Sequence, residues 1–157
     1  MKRITLRRFS ENDLDAICAM EADPAVMAMT GPGRAQSRQE SKSRLAKILA
    51  FRDPRPYTGY WAGIEASSGQ LVAWYMLLPV VDKPETFEIG FMLRRDSWGK
   101  GYASEITQSL LEMIELNKGI RVIANTSSEN EASRKVLLGR GFKEVASEDL
   151  VQFVKVI

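Results

Sequence analysis

The chain has 157 residues, of which 45% are hydrophobic and 27% charged, and its 22 Lys and Arg against 20 Asp and Glu give a formal net charge of +2. This length and composition predict one soluble globular domain over residues 1–157, and so small an excess of charge gives no reason to expect a nucleic-acid partner. The chain has no histidine and one cysteine, Cys18, which excludes Ser-His-Asp and Cys-His catalysis, His-containing or cysteine-rich metal sites, and disulfides within the chain.

The N-terminal part of the sequence predicts one strand and two helices. Ile4 and Leu6 alternate with polar residues as in a short strand, and Ser10 precedes a first helical pattern. A second helix is predicted near Ser37, which forms a capping-box pattern with Glu40. The residues expected on or beside the apolar faces of the helices are Leu14, Ile17, Cys18, Glu21, Leu45, Ile48, Leu49 and Phe51. The basic residues of the second helix are most simply a solvated face: Arg38, Lys42, Arg44 and Lys47.

From Tyr57 onward the period changes to that of strands. Residues 60–65 and 71–78, joined by a turn at 67–69, predict a hairpin. A third strand is predicted over residues 86–93, with Phe87, Ile89 and Phe91 on one face and Glu88, Gly90 and Met92 on the other. Three aromatic residues on the central strands either fill the core or line a cleft: Trp61, Trp74 and Tyr75.

The C-terminal part predicts alternating helices and strands. A helix follows residue 102, a strand covers residues 121–126, a helix covers about 131–140, and residues 142–145 and 150–156 form a final antiparallel pair. The resulting order, one strand, two helices, three strands, then helix, strand, helix and two strands, predicts a single α/β (α+β) domain with a mixed sheet.

A glycine-containing turn between a strand and a helix is typical of anion-binding sites, because the first N–H groups of a helix lack internal partners. Residues 94–103 form such a turn, with cationic side chains at Arg95 and Lys100. The spacing Gly99-Lys100-Gly101 does not supply a nucleoside-triphosphate P-loop, and a dinucleotide fold would need a third glycine where this chain has Ser104. At this point a turn that merely joins strand to helix stays open.

Residues 98–103, Trp-Gly-Lys-Gly-Tyr-Ala, resemble the acyl-CoA motif of the GCN5-related N-acetyltransferases (GNAT), Gln/Arg-x-x-Gly-x-Gly/Ala. This variant is similar to that of the subgroup that acetylates the N-termini of ribosomal proteins. Residues 130–142 resemble the Asn-x-x-Ser helix of the family, which ends in Gly-Phe. The order of predicted elements also matches that of the family from about Ile4 to Val156.

The resemblance implies a GNAT fold with a mixed, mostly antiparallel sheet of six to seven strands, about four helices, and strands that splay at a bulge to admit acetyl-CoA. The pantetheine arm would lie along the third hairpin-region strand, and the pyrophosphate on amides of the following loop. The acetyl-CoA contacts that the resemblance implies are Phe91, Met92, Leu93, Trp98, Gly99, Lys100, Gly101, Tyr102, Ala103, Ser104, Asn130 and Arg134. No metal is implied.

The resemblance implies direct acetyl transfer to an amine acceptor, with Glu88 as the candidate general base, since the chain has no histidine. Many relatives carry a tyrosine that protonates the thiolate seven residues after the motif asparagine, where this chain has Leu137. Ser133 is the candidate that remains for hydrogen bonding the sulfur or relaying a proton. A CoA-binding sensor without turnover and a nucleotide-binding regulator are the alternatives.

The acceptor is a peptide α-amine, a polyamine or a small-molecule amine, and the sequence does not decide among them. The absence of an obvious acidic cluster argues mildly against a polyamine. No apolar run approaches the roughly 18 to 20 residues that span a bilayer, so we expect a cytoplasmic protein without a membrane partner. Dimers are common among similar proteins, and a homodimer is an open alternative.

Overall fold

The computed structural model, which describes residues 1–145 and 151–157, contains seven strands. The strands are β1 (Ile4–Arg7), β2 (Gly59–Glu65), β3 (Leu71–Pro79), β4 (Thr86–Leu93), β5 (Arg121–Thr126), β6 (Lys143–Val145) and β7 (Val151–Val156). The helices are α1 (Leu14–Glu21), α2 (Pro24–Met27), α3 (Arg38–Ala50), α4 (Tyr102–Ile114) and α5 (Glu131–Gly139), with short 3-10 turns at Glu11–Asp13 and Arg95–Ser97. The predicted α/β order is confirmed, and Leu150, predicted to start the last strand, lies outside the described residues.

The strand order is β1-β2-β3-β4-β5-β7-β6. Neighbouring strands pair antiparallel throughout, except that β4 and β5 are parallel. A parallel pair needs a crossover connection, and α4 provides it. The described strands therefore form the mixed, mostly antiparallel sheet that the sequence predicts.

Each face of the sheet carries its own hydrophobic core, because side chains alternate along every strand. The core under α4 and α5 includes Tyr75, Phe87, Ile106 and Leu137. The core under α1, α2 and α3 includes Met20, Leu45, Trp74 and Met92. The predicted alternation along β4 is confirmed, because Phe87 and Met92 enter different cores. Trp74 and Tyr75 both belong to the cores.

The helix α3 begins as its sequence predicts. Ser37 Oγ accepts the Glu40 N–H at 3.1 Å, and the Glu40 carboxylate accepts the Ser37 N–H at 3.3 Å. The expectation that Arg44 belongs to a solvated basic face is wrong. Its Nε lies 2.7 Å from Oε2 of Glu21, whose side chain has no exposed surface. A carboxylate buried in the protein interior needs a counter-charge, and Arg44 supplies it from the neighbouring helix.

Cys18 is half-buried, at the edge of the apolar stripe of α1, which agrees with its predicted place on or beside that stripe. The short helix α2 occupies a region where Asp23-Pro24 predicts an interruption. The Asp23 carboxylate accepts the Ala25 N–H at 3.0 Å, and Pro24 stands at the first helical position, where its missing N–H costs no hydrogen bond.

Candidate active site

A gap opens in the sheet between β4 and β5. The two strands pair in parallel only at Thr86–Arg121, Phe87–Val122 and Glu88–Ile123. Beyond these pairs β4 stays bonded to β3 as far as Leu93, and β5 stays bonded to β7 as far as Thr126. The backbone of residues 89–93 therefore faces the gap along one edge. Unpaired strand backbone of this kind accepts an extended ligand as an added strand would be accepted.

The gap does not arise from the bulge that the resemblance implies. The register of β4 with β3 runs without interruption from Phe87–Pro79 to Leu93–Ala73. Since β4 keeps a regular register with β3, the opening begins where the pairing of β4 with β5 ends, after Glu88 and Ile123. It widens toward the edge where both parallel strands end.

The loop that follows β4 presents a row of unpaired amides. Gly99 and Gly101 have φ angles of +73° and +80°, in the left-handed region that favours glycine. Among the described residues, no hydrogen bond uses the N–H groups of residues 99–104. These amides surround the N-terminus of α4, where the helix dipole adds partial positive charge. The arrangement is able to bind an anion of the size of a diphosphate.

Side chains near this loop are used in three different ways. The Arg95 guanidinium donates to the carboxylate of Asp23, so the positive charge predicted at this position is already paired. This pairing holds the pKa of Asp23 below its ordinary value. Lys100 has no ion pair among the described residues and lies 5.8 Å from the ring centre of Tyr102. The indole Nε1 of Trp98 donates to the Leu93 carbonyl at 3.0 Å, where it closes the end of β4.

Contacts with the rest of the fold brace the loop and the first turn of α4. Arg3 Nη1 donates to the Lys100 carbonyl at 2.7 Å, and the Arg3 N–H donates to the Glu105 carboxylate at 2.6 Å. Burial alone would raise the pKa of Glu105, but hydrogen bonds from the Ile4 N–H and from Arg3 lower it. Tyr102 is buried, and its hydroxyl donates to Glu65 at 2.7 Å. Its side chain is therefore used in packing.

A second brace joins α4 to the middle of the sheet. The Tyr75 hydroxyl donates to the Ala103 carbonyl at 2.9 Å and lies 3.3 Å from the Thr107 hydroxyl. Thr107 also donates to the Ala103 carbonyl, at 2.7 Å. Complete burial raises the pKa of the Tyr75 phenol, so it stays a neutral donor. This role of Tyr75 was not predicted, although a tyrosine in an otherwise apolar strand could have suggested it.

Glu88 lies where β4 and β5 separate, in the last parallel pair. Its side chain is half-buried, and its Oε1 accepts a hydrogen bond from Asn125 Nδ2 at 3.3 Å. Its other oxygen has no hydrogen-bond partner among the described residues. Asn125 was not predicted, although a primary amide directly after the apolar run of β5 is a signal that could have been noticed.

The second motif lies at the N-terminus of α5, at the same sheet edge as the loop 94–101. The Asn130 side-chain oxygen accepts the Ser133 N–H at 3.1 Å and caps the helix, which leaves its amide NH₂ able to donate. The Ser133 hydroxyl has no partner among the described residues. Arg134 Nη2 lies 3.2 Å from both oxygens of Glu144. Leu137 has no exposed surface and belongs to the core, so this position supplies no acid.

No cluster of metal-binding side chains is present in residues 1–145 and 151–157. Over those same ranges, no helix combines the length and the apolar character that crossing a bilayer requires.

The chain matches the family model of the acetyltransferase (GNAT) domain over residues 3–143. It is 31% identical over 134 residues, 80% of this chain, to the FsC-acetyl coenzyme A-N(2)-transacetylase of Aspergillus fumigatus. The aligned region spans 56% of that relative's length.

Solved structures with the same fold include a ribosomal-protein α-N-acetyltransferase in complex with coenzyme A. It is 16% identical, with a TM-score of 0.84, and the match covers 100% of this chain and 96% of that one. A spermidine N-acetyltransferase from Vibrio cholerae, in complex with CoA and spermine, is 16% identical with a TM-score of 0.81, over 99% of this chain and 96% of that one. At such identities the likeness shows a shared fold, which is the fold that the sequence resemblance implies.

Proposed function

The chain belongs to the acetyltransferase (GNAT) family, and from that premise we propose that it transfers the acetyl group of acetyl-CoA to a primary amine by direct attack in a ternary complex. The observation that carries the proposal is the position of Glu88. This carboxylate lies at the mouth of the gap between β4 and β5, and the unpaired amides of residues 99–104 lie at the edge where the gap widens.

The residues present fit acetyl-CoA. The amides of residues 99–104, with Lys100 beside them, suit the pyrophosphate, and the open backbone of Phe91 and Met92 suits the amide-containing pantetheine arm. Asn130 offers its free amide NH₂ to the same arm. The Leu93 carbonyl already accepts from Trp98, so Leu93 contributes by lining the gap. Arg134 reaches a phosphate only by leaving Glu144.

Bound acetyl-CoA supplies an electrophilic thioester carbonyl. An alkylammonium has a pKa near 10, so a base must remove a proton before the nitrogen attacks at neutral pH. The Glu88 oxygen without a partner accepts that proton, while Asn125 holds the other oxygen. As the carbon–nitrogen bond forms, the carbon–sulfur bond breaks and the nitrogen releases its second proton. The thiolate takes up a proton, either relayed from the nitrogen through the Ser133 hydroxyl or supplied by solvent.

Glu88→Gln tests the proposal. We expect kcat to fall at least tenfold at pH 7, because glutamine keeps the contact with Asn125 but cannot take up a proton. The KM for acetyl-CoA should change less than twofold, and the loss should shrink as the pH rises and free amine accumulates. The measurement is release of CoA thiol with an amine acceptor. The matched control is Glu85→Gln, an exposed carboxylate just before β4. An unchanged rate at pH 7 in Glu88→Gln would remove Glu88 from the mechanism.

The absence of an acid at Leu137 favours one alternative, a module of the same fold that binds CoA without turnover. The two proposals differ in one measurable result. Both expect acetyl-CoA to bind, but only the enzyme releases thiol in a screen of peptides, polyamines and aminoglycosides. Binding without release from any amine would favour the module.

A further inference from the structure

A cavity of about 350 Å³ lies between the C-terminal end of α3 and the start of β2. Its apolar wall includes Phe9, Ile48 and Tyr60, and its charged groups are Arg8, Arg52 and Asp53. This volume is within the range of small-molecule sites, and an apolar wall with a few charged groups is their usual composition. Neither sequence motif includes any of these residues.

The charge that the cavity offers to a ligand is positive. Asp53 is already paired, since Arg55 donates from Nε and Nη2 to its two oxygens, at 2.7 Å each. Arg8 lies 3.7 Å over the Trp61 ring, and it donates to the carbonyls of Tyr60 and Pro56. None of these partners of Arg8 carries a negative charge.

Arg52 is the more available of the two cations. Its Nη1 donates to the Leu49 and Phe51 carbonyls, at 2.8 and 2.7 Å. Its Nε and Nη2 have no partner among the described residues. A guanidinium with two free donors side by side matches the geometry of a carboxylate.

The cavity opens on the same face of the sheet as Glu88. The register places Tyr60 beside Met76 on β3, and Met76 beside Gly90 on β4. Glu88 is two residues from Gly90 and shares its face. Two strand spacings and one two-residue step along β4 separate Tyr60 from Glu88 by roughly 10–12 Å. The surface between Tyr60 and Glu88 is apolar, because the Met76 side chain lies over Gly90. A Cβ added to Gly90 would be only 2.7 Å from the Met76 Cε.

We propose that this cavity binds an anionic group at the far end of the amine acceptor. The acceptor class is then a primary amine joined to a carboxylate by an apolar stem of roughly 10 Å. The carboxylate pairs with Arg52, the stem crosses Met76, and the nitrogen reaches Glu88. The inference rests on the proposed function, whose amine it specifies further. It disfavours polyamines, because Arg8 and Arg52 would repel their second charge.

Binding of three compounds with the same stem tests the inference without requiring turnover. Calorimetry in the presence of CoA would compare 8-aminooctanoate, octylamine and 1,8-diaminooctane. We expect 8-aminooctanoate to bind about tenfold more tightly than octylamine, and the diamine to bind most weakly. Arg52→Met should remove the advantage of the carboxylate and leave octylamine binding within twofold. The matched control is Arg38→Met, at the opposite end of α3, where the arginine pairs with Asp15 on the surface.

Reversing the charge at Arg52 should change the order of the three affinities, a result that loss of the folded structure would not produce. Arg52→Glu should make 1,8-diaminooctane the tightest ligand of the three, with a melting temperature measured alongside. Equal binding of all three compounds by the wild type, or an order unchanged in Arg52→Glu, would overturn the inference. Thiol release separates this failure from that of the proposed function. Acetylation of octylamine without any carboxylate preference would overturn only the inference, whereas carboxylate-selective binding without acetyl transfer to any amine would overturn only the proposed function.

Discussion

At the scale of single residues, the two cations near the glycine loop differ in what their charge is paired with. Arg95 donates to Asp23, which itself caps α2, whereas Lys100 has no ion pair among the described residues. A guanidinium that is held by a carboxylate offers a phosphate little net charge. An unpaired ammonium beside a diphosphate makes a charge-assisted hydrogen bond, which is stronger than a neutral one.

Lys100→Met is therefore expected to raise the Kd of acetyl-CoA about five- to tenfold, because one charge-assisted contact is lost. Arg95→Met should raise it less than twofold. Isothermal titration at low and high salt would measure both, and the Lys100 effect should shrink as salt screens the charge. Lys42→Met, an exposed change on α3, is the control. Equal losses in the two loop variants would mean that Arg95 leaves Asp23 when the cofactor binds.

Residues whose roles depend on their own chemistry were open to prediction from the sequence. Gly99 and Gly101 were predicted at a tight anion-binding turn, and both have positive φ. Glu88 was predicted on the face of β4 opposite Phe87, and it lies on that opposite face. Asn125 was not predicted, because its contact with Glu88 joins residues 37 positions apart across a parallel pair. Local periodicity carries no information on that pairing.

At the scale of elements, the position of the α4 N-terminus depends on one buried phenol. The Tyr75 hydroxyl on β3 bonds to the Ala103 carbonyl, one residue after the first residue of α4. Because β3 is the neighbour of β4, this contact fixes α4 relative to the gap as well as to the sheet. The alignment of the unpaired amides of residues 99–104 therefore depends on how firmly the first turn of α4 is held.

Tyr75→Phe should lower the free energy of unfolding by about 1 kcal/mol, because one buried hydrogen bond is lost while Thr107 keeps its own contact with Ala103. The Kd of acetyl-CoA should rise about two- to fivefold as the turn loosens, in keeping with a coupling of that size. Urea denaturation and titration measure the two effects. Tyr57→Phe is the matched control, since Tyr57 is buried but its hydroxyl has no partner among the described residues. A stability loss with unchanged affinity would show that Tyr75 acts only in packing.

The elements were predictable where a period extends over several turns or strand residues. The alternation in β4 predicted its bounds, and the helix predicted after residue 102 is α4. The four-residue α2 is too short to show a period. Its signals, Asp23 and Pro24, are equally typical of a chain break, so only the packed structure distinguishes a capped helix start from a turn.

At the scale of the whole molecule, arginine–carboxylate pairs add polar contacts between elements that surround the two cores. Arg3, just before β1, donates to Glu105 on α4, and Arg7 donates from both Nη atoms to Asp13, at 2.8 and 2.9 Å. The Asp13 side chain is almost fully buried, and it also accepts the Ser10 N–H. These bonds lower the pKa of Asp13, and Arg34 lowers the pKa of Glu40 to about 2.

Stability should therefore depend on pH through these carboxylates. A carboxylate whose folded pKa is lowered stabilises the fold above its unfolded pKa, near 4, and loses that contribution as the pH falls toward its folded pKa. We expect a melting temperature that is nearly constant between pH 8 and about 5 and falls steadily below about 4.5. Calorimetry from pH 8 to 2 would measure it.

Asp13→Asn assigns part of this dependence to one group. At pH 7 it should lower the melting temperature by roughly 2–4 °C, the effect of about 1 kcal/mol in a chain of this length. As the pH falls from 5 to 2, the variant should lose less stability than the wild type, because asparagine has no proton to gain. Asp15→Asn is the control, since the Asp15 side chain is 87% exposed and bonds only to an exposed arginine. If Asp13→Asn and the wild type lost the same stability in acid, the Arg7–Asp13 pair would contribute nothing to the pH dependence, and the remaining carboxylates would have to account for all of it.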